Sequence, residues 1–140
     1  MDPAATLGSA VVLLSALLPV PWIAYDDGRE AMAAGRWGGS HIELEITDDG
    51  ATVDYDCAHG RLTEQLRPDR DGRFSAQGTY VPERPGPARE GEGDRGAAAR
   101  YEGRVEGDTM TLTVTLAEDG HTVGTFTLTR GRRGRLRKCL

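Results

Sequence analysis

Two cysteines, three histidines and two pairs of neighbouring acids are the residues of this 140-residue sequence best suited to chemistry. Cys57 and Cys139 stand 82 residues apart. In an oxidising compartment such a pair forms one disulfide, and a loop of that length is worth about 4 kcal/mol in the chain-entropy account. In a reducing compartment the same residues are two inert thiols, or a redox or metal-binding pair. His41, His59 and His121 fall on separate segments, and neither C-x-x-C nor H-E-x-x-H occurs, so the sequence specifies no metal centre and no cofactor. Glu43 with Glu45, and Asp54 with Asp56, are spaced to share one face of a strand. General acid-base catalysis needs one such carboxyl buried, with its pKa raised. These alternate with apolar residues and therefore face water, and no serine sits in a nucleophile-elbow context. A hydrolase is disfavoured, and the expectation is a protein that is not an enzyme. Residues 91–96 spell G-x-G-x-x-G, but no strand leads in, no helix follows, and Glu92 and Asp94 would repel phosphate.

Charge is the next feature. Residues 130–138 hold six cations, Arg130, Arg132, Arg133, Arg135, Arg137 and Lys138, and no acid, while the whole chain carries a net −5. The remainder therefore has 11 basic against 22 acidic side chains, a net of −11. Such a tail either contacts an anionic surface or folds back onto the acidic faces of its own body. Nucleic acid is the partner least expected, because no aromatic residue interleaves the cations to stack on bases.

These residues need a frame, and the frame reads as β-structure. In residues 109–116, TMTLTVTL, Met110, Leu112, Val114 and Leu116 alternate with four threonines, the period of a half-buried strand. Glu106-Gly107-Asp108 before it and Glu118-Asp119-Gly120 after it have hairpin-turn composition. Tyr101, Gly103 and Val105 on one side, and Phe126 and Leu128 on the other, continue the pattern into a three-strand meander. Earlier in the chain, residues 40–47 place Ile42, Leu44 and Ile46 on one face, and Asp48-Asp49-Gly50 turns into a strand with Val53, Tyr55 and Cys57 inward. His59-Gly60 reads as a turn, residues 61–67 as a strand carried by Leu62 and Leu66, and residues 68–72 as a turn into Phe74, Ala76, Gly78 and Tyr80. Four strands thus precede residues 82–98, a Pro-, Gly- and charge-rich stretch without periodicity that reads as a mobile loop. The tail is a candidate eighth strand.

At the start, residues 3–25 carry no charge, and the most apolar part, residues 11–20, has the length of a signal-peptide core rather than of a membrane span. A small-x-small site follows at Ala31-Met32-Ala33, although the segment lacks a basic leader and acids stand before that site. Residues 1–33 are accordingly read as a signal peptide, with an uncleaved anchor through residues 8–25 or a buried helix as the alternatives. Residues 34–140 form one domain. The expectation is an exported protein, periplasmic or secreted.

Seven or eight sequential strands on short turns predict an all-β, antiparallel up-and-down barrel, which removes exposed sheet edges by closing on itself. Gly35-Arg36-Trp37 at its opening resembles the G-x-W start of lipocalins and of the related avidin-type barrels. The resemblance implies that Trp37 plugs one end, that a basic residue of the tail covers it, and that the interior holds an apolar ligand. The candidate lining is Tyr55, Phe74, Tyr80, Tyr101, Met110, Leu112, Val114, Phe126 and Leu128, which equally serve as ordinary core. The size and possible disulfide are also similar to small periplasmic barrels that inhibit lysozymes or proteases. Function is thus expected to be a non-enzymatic binding or structural module for an apolar small molecule, or alternatively an interaction or inhibitor module that meets an envelope protein through residues 82–98.

Overall fold

The computed structural model describes residues 29–83 and 96–139. The apolar segment at residues 8–25 and the centre of the loop at 82–98 lie outside the described residues. Eight strands close into one antiparallel barrel, each paired with its neighbour in sequence and the last with the first. They are β1 (Gly35–Gly39), β2 (Ile42–Ile46), β3 (Ala51–Tyr55), β4 (Ala58–Leu62), β5 (Arg73–Pro82), β6 (Ala97–Glu106), β7 (Thr109–Leu116) and β8 (Thr122–Arg130). Closure comes from β1 against β8, with Trp37 opposite Arg130 and Gly39 opposite Leu128.

Alternation decides what faces inward. On β2, Ile42, Leu44 and Ile46 are buried, and on β7 so are Met110, Leu112 and Val114. The intervening threonines and acids lie on the outer wall. Among the described residues, eighteen buried side chains form one contiguous cluster, against which Tyr80, Val105, Leu116 and Phe126 pack from its margin. The apolar area so removed from water, at about 25 cal/mol per Å², is the main force holding the barrel closed.

The strand order differs from the sequence reading in the first half of the chain. Residues 35–39 are a strand in their own right, so five strands rather than four precede the long loop. Glycine is disfavoured in strands, but a Cβ on Gly38 would collide with backbone atoms of residues 132–134, and one on Gly39 with the carbonyl of Thr127. His59 and Gly60 are not a turn. They lie within β4, and the chain reverses three residues earlier, at Asp56 and Cys57. Gly60 is there because Tyr101 Oη and the Thr79 carbonyl occupy the space a Cβ would take. Cys57 consequently sits exposed in that turn rather than inward on a strand. Residues 63–69 are not a strand, although Leu66 is buried beneath the end of the barrel. The tail adds no eighth strand either. It makes a single parallel bridge, Arg135 to Ser40, and Arg130 already belongs to β8.

Candidate functional site

Of the nine residues read as ligand lining, Tyr55, Phe74, Tyr101, Met110, Leu112, Val114 and Leu128 are buried in the interior, and Tyr80 and Phe126 are half-buried and pack against them. The ring centroids of Tyr55 and Tyr80 are 5.2 Å apart in an edge-on arrangement, and those of Tyr55 and Phe126 are 5.7 Å apart. Tyr55 Oη donates to Tyr101 Oη at 3.0 Å, and Tyr101 Oη donates onward to the Thr79 carbonyl at 2.6 Å. Both phenols are therefore paired in the core, as buried polar groups must be. Burial, added to the neighbouring phenol, raises the Tyr55 pKa far above its ordinary value, and burial pushes Tyr101 up to about 12. A barrel of eight strands is just wide enough to be filled by its own side chains, and these are the side chains that fill it.

Trp37 is 1% exposed. The Arg130 guanidinium lies 4.7 Å from its ring centroid, and Arg130 Nε donates to Asp108 Oδ1 at 3.1 Å. The basic residue over the tryptophan is thus the last residue of β8, and Asp108, in the β6–β7 turn, holds it there. At the same end the Met32 N–H donates to the Leu66 carbonyl at 2.8 Å, closing the barrel from below.

The tail is the most built feature of the exterior. At Gly131 the chain takes φ 76°, a left-handed conformation suited to glycine, and turns back. Residues 131–139 then run as a strap along the outer wall, over β1 and β2, to the β3–β4 turn. The strap is fastened throughout: Gly131 N–H to Arg36 O at 2.7 Å, Gly134 N–H to Glu43 Oε1 at 3.1 Å, Arg135 N–H to Gly39 O at 3.0 Å and Arg137 N–H to Asp56 Oδ1 at 2.8 Å. Lys138 Nζ reaches Asp54 Oδ1 at 3.3 Å and Glu83 Oε1 at 3.1 Å. Cys139 closes the strap in a disulfide with Cys57, their Cα atoms 5.1 Å apart.

Two histidines extend this acidic seam. His41 Nδ1 is 2.6 Å from Asp56 Oδ2, and His59 Nδ1 is 3.0 Å from Glu83 Oε1. The N–H of Arg137, followed by His41, holds the Asp56 carboxyl below its ordinary range. Desolvation pushes Glu83 up, but hydrogen bonds from Lys138 and His59 outweigh it and the net shift is downward. Asp69 is lowered as well, by the N–H groups of Arg73 and Asp71. Sequence reasoning did not single out Asp69, Glu83 or Asp108. Only the Asp in a turn gave a signal for the first and last, since such side chains cap their own turns. Glu45 stays on the wet face beside Glu43, and among the described residues no group of three or more His, Cys, Asp or Glu converges for a metal ion.

Two depressions of the outer wall are lined by described residues. One, of about 650 Å³, lies over β5, β6 and β7, and its charges balance: Arg29, Arg73 and Arg104 against Asp69, Glu102 and Glu106. The other, of about 520 Å³, lies between the strap and β8 and is lined by Arg132, Arg135 and His41 with no acid. No protein-family description, curated protein sequence or solved structure significantly matches the chain.

Proposed function

We propose that this chain is an exported, non-enzymatic binding module, a rigid barrel that recognises its partner on the outer wall rather than in its interior. The observation that carries this reading is the strap. A tail rich in arginine, folded back along the wall and fastened by a disulfide, is a built surface rather than a loose end. The disulfide also supports an oxidising compartment, where such bonds persist.

Two further observations support the reading. The candidate lining residues of a lipocalin-like interior spend their surfaces on one another, so an apolar small molecule would have to displace packed rings. The carboxyls with shifted pKa values, Asp56, Asp69 and Glu83, all move downward, opposite to the direction a general acid needs. That weighs against a hydrolase.

The test is the intact mass of the protein recovered from its own cells after fractionation, alkylated before and after reduction. Protein in the envelope or medium that takes up alkylating agent only after reduction fits the proposal. Protein in the cytoplasm with both thiols alkylated at once overturns it. A fluorescent apolar probe added to the purified protein should find no interior site.

A further inference from the structure

From the groove between the strap and β8 we infer a binding site for an acidic polysaccharide, a chain whose anionic groups meet the guanidinium groups of Arg132 and Arg135 while its hydroxyls meet the threonines of the groove floor. The inference rests on the outer-wall reading above and gives it a ligand class.

The cations of the tail divide into two sets. Lys138 is spent on Asp54 and Glu83, and Arg130 on Asp108 and Trp37. Arg132 forms no ion pair with any described residue. Arg135 donates from Nη2 to Ser40 Oγ at 2.6 Å. That neutral acceptor fixes the guanidinium without cancelling its charge, so the plane of the fork is set before a ligand arrives. A preset guanidinium is what bidentate recognition of carboxylate or sulfate uses.

The floor supplies the other half of the chemistry. Thr125, Thr127 and Thr129 alternate along the outer face of β8 and line the groove beside the arginines. Across the strand pair they stand opposite Thr113, Thr111 and Thr109 in register, so the hydroxyl row continues beyond the groove. Each hydroxyl donates and accepts, which suits a polyhydroxylated ligand. Spacing along the row is about 6.6 Å, twice the rise of a strand residue, so contacts repeat along an extended chain.

The protein is acidic overall, with a net −5. At physiological salt, charges more than about 8 Å away are largely screened, so the local pair of guanidinium groups decides. The depression over β5, β6 and β7 provides the contrast, because three arginines share it with three acids, Arg104 pairing with Glu106. A membrane is disfavoured as the occupant: the site is concave, and its one large apolar side chain, Phe126, packs against the core rather than forming the exposed apolar face that interfacial binding uses.

The experiment is fluorescence anisotropy with labelled oligomers of heparin and of polygalacturonate, and neutral dextran as control, using the oxidised full chain. The wild type should bind both acidic oligomers and not dextran, more weakly as salt rises. Arg132→Gln with Arg135→Gln should weaken binding at least about tenfold. Arg100→Gln with Arg104→Gln, the same charge change on β6, should leave it within about twofold. Far-ultraviolet circular dichroism checks that each variant is folded. Equal losses in the two double variants would mean unspecific charge attraction and overturn the inference, as would a wild type that binds neither acidic oligomer. Binding to phosphatidylglycerol vesicles but to no oligomer would assign the strap to a lipid surface and also overturn it. The compartment and thiol state are read separately by the mass measurement, so a failed groove does not remove the exported binding module.

Discussion

Removing the disulfide, by Cys57→Ser together with Cys139→Ser, isolates how the strap stabilises the barrel. The bond closes a separation of 82 residues. In the chain-entropy account a loop of that size restricts the unfolded chain by about 4 kcal/mol. The folded side of the balance changes little, because Cys57 is exposed in a turn and the strap keeps its hydrogen bonds to Glu43, Gly39 and Asp56. For a domain of about a hundred residues, unfolding entropy near 2 cal/mol/K per residue converts that loss into a fall in Tm of roughly 15–20 °C. Melting curves followed by far-ultraviolet circular dichroism measure the fall. Urea titration then tells where it arises, because an unfolded chain freed of its cross-link exposes more surface and the m-value should rise. A Tm lowered by only a few degrees would refute the magnitude. A large fall with an unchanged m-value would refute the mechanism, since the loss would then lie in folded-state contacts.

Four other outcomes are expected. Tyr101→Phe should cost about 2 kcal/mol, because it strands the Thr79 carbonyl and the Tyr55 hydroxyl together, whereas Tyr55→Phe, which strands neither, should cost about 1 kcal/mol or less; denaturant titration of the two variants that ranked them equal or reversed would contradict the network. Gly38→Ala should displace the strap, whose backbone occupies the site of the new methyl group, and should be read as faster reduction of Cys57–Cys139 by dithiothreitol; an unchanged rate would mean the strap is not held over β1. The Arg137 amide resonance should titrate with Asp56 at a midpoint below the ordinary 3.8: a depressed carboxyl adds stability above its unfolded value and loses it as pH falls through the folded one, so the strap should loosen only in that acid range, and a midpoint at or above 3.8 would rule this out. At alkaline pH the sign reverses, since Tyr101, raised to about 12, adds stability that is complete below the ordinary 10 and is lost as pH rises through the folded value; phenolate absorbance from the core should therefore appear near pH 12 with unfolding, and its appearance near 10 in a folded protein would contradict the burial.

The part of the fold legible in the sequence is the part written as alternation. Met110, Leu112 and Val114 between threonines state a strand, its inward face and, through Gly107 and Gly120, its ends. What misled the reading is glycine used for close approach rather than for turning. Gly60 makes room for Tyr101 Oη and Gly38 for the strap, and neither neighbour is visible until the barrel has closed. The true turn, at Asp56 and Cys57, carries no glycine, so the period of two runs on in the sequence for two residues past the end of β3 and puts Cys57 inward. Similarly, the positive φ of 70° at His41 sits in a two-residue hairpin that no Asn-Gly or Asp-Gly announces. The candidate surface was legible as composition but not as position. Six cations in a tail announce charge, while which of them meets Trp37, which meets acids and which remain available depends on where the chain crosses the wall.

That division has its own cause in the sheet. Glu43 and Asp54 are direct cross-strand partners on β2 and β3, an arrangement of like charges that weakens a sheet. The strap relieves it, since the Gly134 N–H bonds Glu43 and Lys138 bonds Asp54. Asp56, beside them in the turn, takes the Arg137 N–H. The far half of the strap is therefore required by the barrel, and a sequence under selection for folding alone would need only Lys138 and two backbone amides there. Folding makes no comparable demand for Arg132 or Arg133, exposed side chains that form no ion pair with a described residue, and Arg135 meets only a hydroxyl through its side chain. Four guanidinium groups between residues 132 and 137 exceed what the acidic seam uses. The excess falls on the stretch of strap that borders the acid-free groove, which is where a surface held for an anionic partner would keep its charge.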